Sequence, residues 1–298
     1  MEFEGVEKRA DIRVVHGNLL NEIEPNFWFD LVTCAGGEIL SSIENSACRA
    51  FILSESSLIL FSDHFTILTC GETNLAKAIT YFVEHQAHLE ISYLRFSRKN
   101  ERYPERQPTT FNQDAHQLSQ FLAGSVTRLG PPHGQHISCF TYQKELLEHE
   151  QSVFELLAYD LSKAISDDYM SNGLTALQLV DMLGLTQTLK GFIFDVYEFT
   201  PVGYSLNGIK DQHYITVHIT PQASCSFLSV MSNYPLGHSI KNITSAIDPN
   251  RFDVLEIMPL RFGVARCPEL LGFQLSNASH HLSKQMTQRF ISYQRNPN

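Results

Sequence analysis

Short apolar runs separated by polar pairs set the rhythm of this chain, and the element they predict most often is the β-strand. Residues 30–34 and 50–53 read as strands, and the runs 57–61 and 65–69 around Ser62-Asp63-His64 read as a hairpin. After Gly71 the period changes. Leu75, Ala76, Ile79, Phe82 and Val83 recur at helical spacing and predict one amphipathic helix. Residues 89–96 return to strand, with Ile91 and Tyr93 on one face. Residues 97–113 are polar and hold two prolines, which predicts a long loop. A helix near 115–122 and a strand near 137–142 follow, and Phe154, Leu157 and Leu161 predict a helix over 150–165.

The second half repeats this grammar, with a helix over 175–183 stopped at Gly184 and strands over 191–199, 214–220 and 225–230. Runs of strands with separate helices, rather than strict β-α-β alternation, argue for antiparallel sheets with helices on one face each, an α+β fold. Residues 1–298 read as a single domain of two similar halves, about 1–145 and 146–298.

Composition narrows the classes of function. At 298 residues and 43% hydrophobic content the chain can bury one large core or two modest ones. No stretch approaches the ~20 apolar residues of a membrane span, and the acidic start Met1-Glu2-Phe3-Glu4 lacks a signal-peptide pattern. With 32 acidic against 22 basic residues and no basic run, the chain is not expected to bind nucleic acid or a membrane. A cytoplasmic protein is the expectation. The six cysteines form no Cys-x-x-Cys pair and read as reduced, mostly buried thiols. The histidine pairs lack acidic or cysteine companions at ligand spacing, so no metal is expected.

Four strings carry candidate chemistry: Phe3-Glu4-Gly5-Val6-Glu7-Lys8, Leu53-Ser54-Glu55-Ser56-Ser57, Thr69-Cys70-Gly71 and Gly203-Tyr204-Ser205-Leu206-Asn207-Gly208. Each has a bland reading: a solvated N-terminal segment, a polar turn, a core thiol, a turn serine. In residues 214–219, period-two alternation puts Tyr214, Thr216 and His218 on one face and aliphatic residues on the other. A lone strand histidine is usually a hydrogen-bonded filler.

Together these strings, with Phe96-Ser97-Arg98-Lys99-Asn100, resemble the eukaryotic-type S-adenosylmethionine decarboxylases. The resemblance spans nearly the whole chain. It implies a four-layer α-β-β-α sandwich of two antiparallel sheets with helices outside. It also implies a self-made cofactor, because members of the family cut themselves before a serine and convert it to a covalent pyruvoyl group. Here Ser56 would attack the carbonyl of Glu55, giving a β chain 1–55 and an α chain 56–298 that remain partners. The family pattern makes His218 the base that removes the Ser56 α-proton and Ser205 its assistant. The pyruvoyl group would form a Schiff base with S-adenosylmethionine, and Cys70, just before a helix N-terminus that tunes thiol acidity, would reprotonate carbon. Glu4 and Glu7 would line the active site, Phe3 and Phe199 would sandwich the adenine, and the Glu55 backbone would touch substrate.

Two departures stand out. The family follows His-Ile-Thr-Pro with a glutamate for the ribose hydroxyls, whereas this chain has Gln222. Family members stimulated by putrescine hold it among buried acids. This chain keeps Asp11 and Glu150 but aligns Leu68 with a lysine, and Met231 and Phe154 with glutamates, so putrescine activation is not expected. The resemblance leaves room for a homodimer. It implies decarboxylated S-adenosylmethionine for spermidine and spermine synthesis as the product. Two other readings stay open: a non-catalytic paralogue regulating an active partner, which the intact Ser56 argues against, and a decarboxylase of a related substrate, which Gln222 keeps alive.

Overall fold

The computed structural model describes residues 7–144, 152–170, 173–200, 203–222, 226–262, 267–283 and 285–297. The chain divides into two compact units. The first is built from β1 (Lys8–Val14), α1 (Leu19–Glu22), α2 (Pro25–Ala35), β2 (Ile39–Glu44), β3 (Cys48–Leu53), β4 (Ser56–Phe61), β5 (His64–Thr69), α3 (Leu75–His85), β6 (Ile91–Lys99), α4 (Phe111–Ser119), β7 (Ser125–Leu129) and β8 (Ile137–Gln143). The second is built from β9 (Val153–Leu161), α5 (Lys163–Tyr169), α6 (Ala176–Met182), β10 (Ile193–Glu198), β11 (Tyr204–Lys210), β12 (His213–Thr220), β13 (Phe227–Ser232), α7 (Ile240–Ile247), β14 (Pro249–Pro259), β15 (Phe273–Leu282) and β16 (Met286–Arg295).

Each unit carries one eight-stranded antiparallel sheet. The strand orders are β2-β3-β4-β5-β1-β6-β8-β7 and β10-β11-β12-β13-β9-β14-β16-β15, so adding eight to every label of the first gives the second. The repeat that could not be seen residue by residue is therefore a repeat of topology. It makes β12 the counterpart of β4.

Alternation along the strands sorts the side chains. In the first unit Ala10, Ile12, Leu58 and Ile67 pack against Trp28 of α2 and Phe82 of α3. Arg9, Asp11, Thr66 and Arg95 occupy the opposite face of the same sheet. In the second unit Leu156, Val217, Val230 and Val254 pack against Val180 of α6 and Ile243 of α7. Their strand neighbours Glu155, Thr216, His218 and Asp253 take the other face and are also buried. The expected antiparallel α+β arrangement, with helices packed on one face of each sheet, is present in both units.

Several local expectations are corrected. Residues 30–34 are not a strand but the last half of α2, which starts with Pro25 at its first turn and stops at Gly36 in a left-handed conformation. Residues 153–161 are not helical. β9 is a central strand with both faces buried, so its apolar residues lose the period-two signature and Phe154, Leu157 and Leu161 mimic helical spacing by chance. The predicted loop 97–113 is shortened at both ends, by β6 running to Lys99 and by Thr110 capping α4 together with Gln113. The expected helix 175–183 is α6, capped by Thr175 and Gln178.

Candidate active site

In the first unit the candidate residues gather at the β3–β4 connection. Leu53 pairs with Ser56 across a two-residue turn, Ser54-Glu55. Ser54 anchors the turn, since its N–H donates to Glu38 O at 2.8 Å and its hydroxyl accepts the Glu38 N–H at 3.0 Å. Two-residue hairpin turns usually take positive φ at their central residues, which matches the strand twist. Here the positive φ falls instead on Ser56, at 147°. An L-residue held there stores of order 1–3 kcal/mol of strain.

The Glu55 carbonyl points at Cys70. It accepts the Cys70 backbone N–H at 2.9 Å and the Cys70 thiol at 3.0 Å. Burial, then the Glu55 and Glu7 carboxylates, hold that thiol well above its ordinary pKa, so it stays protonated. This corrects the expectation of tuning by a helix N-terminus: α3 starts only at Leu75, with Asn74 as its cap. The Glu55 carboxyl is raised by burial, partly offset by Lys8.

Lys8 is a member of the site that the strings alone did not single out. Its ammonium donates to Gly71 O at 2.9 Å and Thr73 O at 2.7 Å, and so holds the turn that presents Cys70. Gly71 takes φ +63° in that turn. Burial, then the nearby Arg98, bring Lys8 down to about 8. Glu7, expected at the site, is buried beside it in sequence and lowers the acidity of Cys70. Phe3, Glu4 and Glu150 lie outside the described residues.

A separate cluster of candidate residues lies on β11 and β12 of the other unit. Ser205 pairs with His218 across the two strands, and its Oγ sits 2.7 Å from His218 Nδ1. Ser205 is thus a strand residue rather than a turn serine. Thr216, one period along β12 on the same face, places Oγ1 2.8 Å from His218 Nε2. Burial pushes the imidazole down to about 3, so it is neutral near pH 7. Phe199, just past β10, packs edge-on against Tyr197 with ring centroids 4.9 Å apart. Tyr197 pairs with Ser205 in register, which puts both on one sheet face. Gln222 follows the end of β12 and is half-buried. The alternation in 214–219 carried the signal for Thr216, and the Glu7-Lys8 pair carried it for Lys8.

The acids also need one correction. Phe154 packs in the apolar core, whereas its neighbour Glu155 is buried on the face that carries Thr216, in register with Met231. In the first unit Asp11 accepts from Arg9 at 2.6 and 3.0 Å and from Thr66 at 2.8 Å, with the fully buried Arg95 guanidinium 3.8 Å away.

A solved structure, the Trypanosoma brucei AdoMetDC-delta26 monomer, shares this fold, with a TM-score of 0.62 over 80% of this chain and 99% of its own at 19% identity. The likeness defines the class by architecture. The adenosylmethionine decarboxylase family model matches residues 1–294, and the chain belongs to that family. Among its relatives are S-adenosylmethionine decarboxylase proenzymes from Dictyostelium discoideum, 28% identical over 84% of this chain and 73% of that protein, and from Drosophila melanogaster, 29% identical over 85% and 81%.

Proposed function

We propose that this chain cleaves its own Glu55–Ser56 bond and then decarboxylates S-adenosylmethionine with the pyruvoyl group left on residue 56. The observation that carries the reading is the Glu55 carbonyl, held by two Cys70 donors directly beside a strained Ser56. Attack of Ser56 Oγ on the Glu55 carbonyl carbon forms an ester and frees the Ser56 nitrogen, which takes a proton. Negative charge develops on the Glu55 oxygen, where the Cys70 N–H and thiol already point. Loss of the Ser56 α-proton then breaks the Cβ–O bond and releases residues 1–55 as a carboxylate. The dehydroalanine left at 56 gives up its nitrogen as ammonia when water adds.

The neutral His218 ring, paired with Ser205, is assigned to the proton removal. Once formed, the pyruvoyl carbonyl supplies an electron sink for loss of carbon dioxide from an amino-acid carboxylate. The protonated Cys70 thiol holds the proton that carbon must regain. Phe199 and Phe3 are assigned to the adenine ring, and Gln222 to the ribose as a neutral hydrogen-bonding partner. The product would be an aminopropyl donor for spermidine and spermine synthesis.

The same reading makes the enzyme independent of putrescine. Asp11 already has two guanidinium partners, Arg9 and Arg95, so a buried diamine is not needed to balance it. Incubating purified protein with carboxyl-labelled S-adenosylmethionine tests the activity. Labelled carbon dioxide is expected from cleaved protein, and none released by fully cleaved protein would refute the decarboxylase reading.

A further inference from the structure

Each ring nitrogen of His218 lies beside a hydroxyl, Ser205 at Nδ1 and Thr216 at Nε2, and the proposed self-cleavage uses only the first. We infer that Thr216 is a positioning residue for self-cleavage, its hydroxyl accepting the Nε2–H of His218 and thereby fixing the tautomer whose lone pair, on Nδ1, faces Ser205. The inference rests on the reading of His218 as the base. A neutral imidazole carries one N–H and one lone pair, and the partner of one nitrogen decides which nitrogen has the proton. If the proton sat on Nδ1, the lone pair would face Thr216 and Ser205 would meet a donor. A ring in that state has no basic nitrogen directed toward Ser205.

The geometry fits the assignment. Nδ1 lies 2.7 Å from Ser205 Oγ and Nε2 lies 2.8 Å from Thr216 Oγ1, so both ring nitrogens are within hydrogen-bond distance of a hydroxyl. Thr216 and His218 are two apart on β12 and share a face, so the strand itself sets their spacing. The branched Cβ of threonine restricts its rotamer and holds Oγ1 in place. Thr216 is fully buried, at 0% exposure, in a strand position where valine would have the same shape and no hydroxyl to desolvate. Asn207, equally buried, is its register partner on β11, so the hydroxyl lies beside a polar side chain on the sheet face opposite the helix-facing core.

Two measurements test this. The first uses Thr216→Val and Thr216→Ser in the full chain. Cleavage at Glu55–Ser56 should slow about tenfold to a hundredfold in Thr216→Val, by analogy with the loss of a partner that orients a metal-ligating histidine. Thr216→Ser should recover to within severalfold of wild type. The second uses the uncleavable Ser56→Ala chain with nitrogen-15-labelled histidine, His218→Gln serving to assign the ring. It should show a pyrrole-like Nε2 and a pyridine-like Nδ1, with that preference lost in Thr216→Val and kept in Thr216→Ser. A pyrrole-like Nδ1 in the Thr216-containing chain would overturn the inference. So would wild-type cleavage by Thr216→Val, or no recovery in a folded Thr216→Ser. The tautomer reports on Thr216 even in a chain that never cleaves, so failure of the self-cleavage reading and failure of this inference are told apart.

Discussion

Strain at Ser56 can be weighed without any chemistry by comparing alanine and glycine at two adjacent positions. Ser56 has φ 147°, while Ser57 is the next residue of β4, is equally buried, and is not among the positive-φ residues. At an ordinary buried strand position such as 57, glycine is worse than alanine by about 0.5–2 kcal/mol. Extra chain entropy supplies ~0.5–1 kcal/mol of that and the lost buried methyl up to ~0.8 kcal/mol. At 56 the same losses apply, but glycine also relieves the ~1–3 kcal/mol that an L-residue stores there. The preference for alanine should therefore be weakened or reversed at 56 alone. Urea unfolding of Ser56→Ala, Ser56→Gly, and the Ser56→Ala chain carrying Ser57→Ala or Ser57→Gly gives both comparisons on uncleavable protein. The alanine-to-glycine difference should shift by ~1–3 kcal/mol between the two positions. If released fully in the transition state, that strain would speed attack on Glu55 by about fivefold to 150-fold. An equal alanine preference at 56 and 57 would refute the idea that the scissile peptide is strained.

Other predictions concern charge. His218 stays neutral in the fold down to about pH 3, whereas an unfolded histidine takes its proton near 6.5. Stability should thus fall with pH through that window, because the unfolded state binds more protons there. In Ser56→Ala, His218→Gln should remove about 2 kcal/mol of the stability lost between pH 7 and pH 5, read by denaturant titration, and an unchanged pH slope would contradict the burial of His218. Gln222→Glu should lower the KM for S-adenosylmethionine about tenfold if it restores a charge-assisted bond to the ribose, and an unchanged or higher KM would show a site re-optimised around the amide. Neither self-cleavage nor turnover should respond to millimolar putrescine, since a buried dication costs several kcal/mol per charge to desolvate and Asp11 already holds Arg9 and Arg95. Severalfold stimulation of either would refute that.

The sheet architecture was legible where one strand face is apolar and the other polar. Residues 214–220 announced both β12 and the face that carries His218, and the run 75–83 announced α3. Legibility failed in β9, whose two buried faces erase alternation, and in α2, whose start and stop signals at Pro25 and Gly36 outweigh the strand-like run between them. The motif strings pointed to Ser56, Cys70 and Ser205 as candidates, and strand alternation to His218, but neither pointed to what holds them. The φ of Ser56 is a property of how the Ser54-Glu55 turn joins two strands. The contacts of Lys8 with Gly71 and Thr73 join residues more than sixty apart in sequence. Thr216 looked like an ordinary strand residue until its hydroxyl met the ring nitrogen.

The central claim stands or falls on the intact mass of the purified protein. The account predicts two fragments, residues 1–55 ending in a free carboxylate and residues 56–298 lighter by one ammonia than a serine N-terminus would make it, with Ser56→Ala giving a single chain. A wild-type protein that remains one full-length chain after prolonged incubation would contradict it.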